Sequence, residues 1–164
     1  MDQQSLFLEL LRANHGRWRG IARAYARQDA EDLFQEILLQ VWRSLATFRD
    51  ESAMSTWSYR VALNTALNWR RSEQTRRQRL PIRDGYNPAL VPSPTAEVRG
   101  SEVLERLLAE LSPADKAILL LFLDDVGYDE MAEILGATAG ALRVRIHRIK
   151  KQLAVLQEGQ PHES

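Results

Sequence analysis

The 164-residue sequence contains no cysteine. Disulfide frameworks, thiolate zinc sites and cysteine nucleophiles are thereby excluded, and the reducing cytoplasm is the natural compartment. Histidine is scarce as well: His15, His147 and His162 are scattered, and no acid pairs with any of them at metal-ligand spacing. No glycine-rich phosphate loop occurs. An enzyme is therefore the least expected class, and neither cofactor nor metal is expected. Long apolar runs are also missing, since the longest, Ala117 to Leu123, is far too short to cross a bilayer. The N-terminus, MDQQSLFLELLRANHGRW, places an acid where a secretory signal needs bases, so no membrane insertion is expected. Net charge, finally, is zero: 22 Lys and Arg against 22 Asp and Glu.

The balance conceals a strong segregation. Arg60, Arg70, Arg71, Arg76, Arg77 and Arg79 face only Glu73 in their stretch, and Arg143, Arg145, Arg148, Lys150 and Lys151 have no acid among them. Acids gather elsewhere, at Asp29, Glu31, Asp32 and Glu36 and again at Asp124, Asp125, Asp129, Glu130 and Glu133. Two basic patches separated by two acidic ones imply two kinds of partner, one polyanionic and one not.

An all-α fold of two small domains is expected. Between Leu80 and Gly100, Pro81, Pro88, Pro92 and Pro94 with Gly85 rule out a helix or a central strand, which makes 80–100 a linker between a helical unit at 1–79 and another at 101–164. In the first unit the pattern predicts a helix over Ser5–Gln28, weakened at Gly16 and Gly20, a second over Asp29–Ala46, and a third after the loop TFRDESAMS. In the second unit a helix over Ser101–Leu111 precedes one capped by Ser112, with Pro113 at the first helical position, where its missing N–H costs nothing. Two further helices flank Gly136, and the tail QEGQPHES reads as frayed.

The stretch YDEMAEILGATAGALRVRIHRIKKQL has the parts of a helix-turn-helix: a short first helix, Gly136 for a left-handed cap, Thr138 to cap the next helix, and the small Ala132 where the helices approach. At about 100° per residue, Leu142, Ile146, Ile149 and Leu153 form an inward stripe. Opposite lie Arg143, His147, Arg148 and Lys151, with Val144 at their centre. An apolar side chain in a cationic exposed face suits a thymine methyl in the major groove, while neighbouring arginines can reach phosphates or guanine edges.

The same wheel divides the third helix. Trp57, Arg60, Asn64, Asn68 and Arg71 project to one side, and Tyr59, Ala62, Leu63, Ala66, Leu67 and Trp69 cover the other. An indole that can stack on an unpaired base, beside guanidiniums that track a backbone, suits single-stranded or melting DNA. In the second helix Leu33, Phe34, Ile37, Leu38, Val41, Trp42 and Leu45 make a broad buried arc. Asp32, Gln35, Glu36, Leu39 and Arg43 are left outside, and an acidic rim around one exposed Leu repels DNA but suits a basic protein surface.

With these residues in place, the chain closely resembles the extracytoplasmic-function (ECF) branch of bacterial RNA polymerase sigma factors. Asp29 to Arg71 resembles the second conserved region of that family, and Leu107 to Leu153 resembles the fourth. The resemblance implies that Asp32, Gln35, Glu36, Leu39 and Arg43 dock on the basic clamp helices of core RNA polymerase. It implies a minus-10 surface made of Phe48, Arg49, Asp50 and Ser52 in the loop with Thr56, Trp57, Arg60, Asn64, Asn68 and Arg71 on the helix, where a flipped base is held. Thr138, Arg143, Val144, His147, Arg148 and Lys151 would read the minus-35 element as duplex. An anti-sigma protein is the further partner implied.

The sequence departs from the family pattern at several positions. Gly140 to Arg145 reads GALRVR where many members read Gly-Thr-Val-Lys-Ser-Arg, so two hydroxyls are lost; Asn68 stands where Asp is common, and Ser58 replaces an apolar residue. An autonomous helix-turn-helix regulator would explain the C-terminal face but leaves the Trp57 and Leu39 faces without a purpose. A protein-binding helical adaptor leaves the basic helix unexplained.

Overall fold

Asp2 starts the first helix. Its carboxylate accepts from the Ser5 amide at 2.8 Å and from the Ser5 hydroxyl at 3.1 Å, filling donors that a helix start leaves unpaired. Those bonds, the one from the Ser5 amide foremost, hold its carboxyl below the usual range. In the computed structural model, which describes residues 2–79, 104 and 106–158, α1 (Gln3–Ala26) consequently begins ahead of the expected Ser5. It also passes unbroken through Gly16 and Gly20, because Trp18, Ile21 and Ala22 between and beside them are sealed in the core and hold the backbone. The helix stops before the expected Gln28, since Arg27 takes a φ of 45° and leaves the helical region.

A 3₁₀ turn, Arg27–Asp29, leads into α2 (Ala30–Leu45), and after the loop α3 (Met54–Arg79) follows. These three helices close on one another around Trp18, Ile21, Leu33, Ile37, Val41, Tyr59 and Ala62. Trp42 departs from the expected buried arc. It is 37% exposed and lies beside the first turns of α1, its ring meeting Phe7 edge-on at 5.4 Å and its carbonyl accepting from the Gln3 side-chain amide at 2.8 Å.

In the second domain the Ser112 hydroxyl accepts from the Asp115 amide at 3.2 Å, and Pro113 opens α4 (Pro113–Leu123) as expected. Then come α5 (Tyr128–Leu135) and α6 (Ala139–Glu158), packed through Leu121, Met131, Leu142, Ile146 and Ile149. Residues 106–109 are helical, and Leu108 and Leu111 join this core. No strand occurs among the described residues. The segment 80–100, expected as a linker, lies outside them, as do residues 159–164 of the tail.

The domains touch along two lines, α1 against α4 and α3 against α5. On the first, the Tyr25 hydroxyl donates to the Pro113 carbonyl at 2.7 Å, and the Lys116 ammonium donates to the Ala24 carbonyl at 3.0 Å and lies 5.2 Å from the Tyr25 ring centre. Burial lowers the Lys116 pKa, and the nearby Arg70 and Arg27 charges lower it further.

Candidate polymerase and nucleic-acid interfaces

Three surfaces carry the expected binding residues. On α2, Asp32, Gln35, Leu39 and Arg43 are exposed, and Glu36 is half-buried, accepting from the Gln40 amide at 2.8 Å. Leu39 is 39% exposed, and the Trp42 ring emerges one turn further along the same side. The sequence reading missed Trp42 because a helical wheel assigns apolar residues to the core by angle alone. Its angular offset from Leu39, about 60° on the wheel, was the available signal.

On α3, Trp57 is half-buried and tilted against Phe48, with ring centres 5.0 Å apart and planes at 54°. Phe48 belongs to the loop between α2 and α3, where Asp50 adopts a φ of 54°, a left-handed conformation that a short polar side chain tolerates. Arg49 and Asp50 are exposed and Ser52 is half-buried. Phe48, Arg49, Ser52, Trp57 and Arg60 line one open cleft of about 260 Å³, to which Glu133 of α5 also contributes. The fold therefore gathers into this cleft five of the ten loop and helix residues expected at the minus-10 surface.

Two residues of that set are turned toward the other domain. Thr56 is 2% exposed and its hydroxyl donates to Glu130 at 3.0 Å, while the Arg60 guanidinium donates to the Glu133 carbonyl at 2.7 Å. Further along α3, Asn64, Asn68 and Arg71 are exposed in a row. Asn64 and Asn68 share a groove of about 520 Å³ with Glu36 and Gln40 of α2, so the acidic and the amide faces meet at one edge.

The helix-turn-helix forms as its residues dictate. Gly136 has a φ of 65° and caps α5 in the left-handed conformation, and the Thr138 hydroxyl accepts from the Ala141 amide at 3.2 Å. That bond commits the Thr138 oxygen to capping α6. Val144 is 54% exposed at the centre of the outward face, with His147, Arg148 and Lys151 exposed around it. The Arg143 guanidinium rests 5.0 Å from the Tyr128 ring centre, which fixes it beside the turn.

Two cations of the basic run serve packing instead. Arg145 pairs with Asp115 of α4 at 2.6 Å, and the Lys150 ammonium lies 4.4 Å from the Phe122 ring centre. Both tie α6 to α4 and leave Arg143, His147, Arg148 and Lys151 as the outward polar set. Among the described residues no cluster of His, Cys, Asp or Glu could hold a metal ion, and no helix is long and apolar enough to cross a membrane.

Known proteins match this arrangement in both halves. The Sigma-70 region 2 family matches residues 10–76, and the Sigma-70, region 4 family matches residues 101–153. The ECF RNA polymerase sigma-E factor of Haemophilus influenzae is 33% identical over 146 residues, covering 81% of this chain and 77% of the relative. The ECF RNA polymerase sigma factor SigM of Mycobacterium tuberculosis is 29% identical over 154 residues, covering 92% and 76%. Among solved structures, CnrH in complex with the cytosolic domain of CnrY superposes with a TM-score of 0.67 at 19% identity over 96% of this chain and 91% of that one. The sigma factor RpoE in complex with the anti-sigma factor NepR, from Bartonella quintana, gives 0.65 at 20% identity over 96% and 98%. With both conserved regions in order on an all-α frame of this kind, the chain belongs to the ECF family of RNA polymerase sigma factors.

Proposed function

We propose that this sigma factor works through three separate surfaces: α2 holds core polymerase, the loop and α3 take the melted minus-10 strand, and α6 reads the minus-35 duplex. The observation that supports this reading best is the segregation of chemistry on the first domain. An acidic face with two apolar side chains, Leu39 and Trp42, stands on α2, and an indole with amides and guanidiniums stands on the neighbouring helix. DNA is repelled by the first and attracted by the second; a basic protein surface has the opposite preference.

Magnitudes explain why both are needed. Stacking one base on Trp57 contributes about 1–3 kcal/mol. Unstacking and unpairing that base costs a few kcal/mol. The chain alone therefore roughly breaks even, and polymerase, held by α2, supplies the remaining strand contacts. A neutral total charge is consistent with that division of labour, because a factor that binds DNA only as part of a complex needs no steep counterion release of its own. No bond is made or broken by its residues, so its role is binding and positioning, and its place of work is the cytoplasm. Two solved relatives are held by CnrY and by the anti-sigma factor NepR, and an inhibitor of that class is the further partner proposed here.

The test is run-off transcription with core polymerase, comparing the wild type with Trp57→Ala and Asp32→Ala. The first variant should keep polymerase binding and lose promoter opening, and the second should lose polymerase binding. Identical behaviour of the two would refute the assignment of faces, and tight, salt-sensitive binding to a promoter without polymerase would favour an autonomous regulator instead.

A further inference from the structure

The packing of α6 fixes which side chain stands at the summit of its outward face. Leu142, Ile146 and Ile149 are sealed inward, Arg145 is drawn to Asp115 of α4 at 2.6 Å, and the Lys150 ammonium lies 4.4 Å from the Phe122 ring centre. Those contacts set the rotation of the helix. At about 100° per residue Val144 then lies about 160° from both Leu142 and Ile146, close to the greatest angle a helix allows. It is 54% exposed. One turn earlier on the same side stands Gly140, also exposed, where an added Cβ would meet nothing within 4 Å. Val144 thus rises beside a step that carries no side chain, with Arg148 one turn further on and His147 and Lys151 exposed next to it.

A lone exposed valine on a wet helix needs no explanation. Val144 differs because the cations around it direct its face toward a polyanion, and because the base edge it can recognise there follows from what valine lacks. It has no donor and no acceptor. It therefore cannot tell the O4 acceptor of thymine from the N4 amine of cytosine, and the one pyrimidine feature left for it to sense is whether C5 carries a methyl group. A purine would press its N7 acceptor against the valine with no donor to replace water, which costs binding. Val144 is β-branched and held near one rotamer in a helix, so presenting its two methyl groups loses little entropy. The Arg143 guanidinium is drawn aside to Tyr128 of α5, 5.0 Å from the ring centre.

We propose that α6 carries a reader of the pyrimidine C5-methyl group at its centre, with Val144 as the specificity-determining residue. The minus-35 duplex is bound more tightly when the base beneath Val144 is thymine or 5-methylcytosine than when it is uracil or cytosine. The inference rests on the assignment of α6 to the minus-35 duplex made above. Its consequence is a sensitivity to base modification: methylating one cytosine of a promoter strengthens binding by this chain without changing a single hydrogen bond.

The probe is obtained with the chain itself: random-sequence duplexes retained by the full-length chain assembled with core polymerase supply a bound sequence. Each thymine of either strand upstream of the melted segment is then replaced singly by uracil, which removes only the methyl group. At one position uracil should weaken binding about fourfold, as expected for one methyl group taken out of water. A cytosine placed at that position should gain the same factor when methylated at C5. Val144→Ser puts a hydroxyl that serves either base edge in place of both methyl groups, and should remove both differences. The side chain is exposed, so the core is untouched. Uracil tolerated at every position, equal binding of methylated and unmethylated cytosine, or discrimination that survives Val144→Ser overturns methyl reading. Arg148→Ala separates this inference from the proposed function, since it should weaken every duplex alike. Such a loss without any methyl effect sinks the inference alone, whereas unchanged affinity on all duplexes would show that α6 does not read the duplex and would sink both.

Discussion

The Phe48 ring leans on the Trp57 indole at 5.0 Å between centres, so a residue from the loop sets the attitude of an aromatic side chain on the helix. An aromatic pair of this kind contributes about 0.5–1.5 kcal/mol beyond the area it buries. Trp57 is thereby held in one attitude rather than free to fold back onto α3. Phe48→Ala should lower open-complex formation about three- to tenfold, in keeping with that energy, while leaving polymerase binding intact. Permanganate reactivity of unpaired thymines in the presence of core polymerase measures it. A variant that opens promoters as well as the wild type would show that the indole needs no support.

Leu39 is the apolar centre of an acidic face, with Trp42 beside it. Leu39→Arg would remove the anchor and bring a positive charge against a basic partner. Affinity for core polymerase should fall by about 2 kcal/mol, roughly thirtyfold, as for loss of a central interface residue. Competition binding reports the change, and single-strand binding by the isolated chain should not move. Equal affinity for core polymerase would place the docking surface elsewhere on the chain.

Two glycines should respond to alanine with opposite sign. A Cβ at Gly16, inside α1, meets nothing within 4 Å, so Gly16→Ala should stabilise the chain by about 0.5–1 kcal/mol through helix propensity and a less flexible unfolded chain. Gly136 has equally open surroundings but a φ of +65°, and Gly136→Ala should cost about 1–2 kcal/mol. Thermal denaturation of the two variants compares them directly; a loss of stability from Gly16→Ala would mean that α1 does not run straight through that position.

Tyr25 and Tyr59 make the pH behaviour predictable. Burial raises the pKa of both hydroxyls, and at Tyr59 the hydrogen bond to Asp124 and its charge raise it further. Their folded values lie above the ordinary tyrosine value near 10, so the neutral form is favoured in the folded chain. The stability they contribute is full below about pH 10 and is lost as pH rises beyond it. Absorbance of tyrosinate near 295 nm should show these two ionising only together with unfolding or domain opening. Titration of all tyrosines near pH 10 in a fully folded, closed chain would contradict this.

Much of this architecture was legible in the sequence because it depends on neighbours a few residues apart. The Ser112–Pro113 helix start, the left-handed Gly136 cap, the Thr138 cap and the exposed Leu39 and Val144 all follow from spacing on a single helix. The family resemblance, carried by two blocks in order, extended that reading to the loop containing Phe48. The domain contact was not legible. Thr56 meets Glu130, Tyr59 meets Asp124 and Lys116 meets the Ala24 carbonyl across |i−j| of 74, 65 and 92, and no periodicity encodes such pairings. For the same reason Arg145 and Lys150 read as free cations until α4 supplied Asp115 and Phe122 as their partners. Trp42 was misplaced because a wheel knows the angle of a residue but not how far the neighbouring helix reaches.

The length of α3 has a consequence of its own. Trp57 and Arg76 stand on one continuous helix, about 28 Å apart along its axis at about 1.5 Å per residue. That span is roughly eight steps of a strand stacked as in duplex DNA, at about 3.4 Å each. The helix is a ruler as well as a surface: it fixes how far the cationic end lies from the indole and on which side it emerges. A single residue inserted after Asn68 would swing everything beyond it by about 100° while lengthening the rod by only about 1.5 Å, so orientation would fail long before distance did.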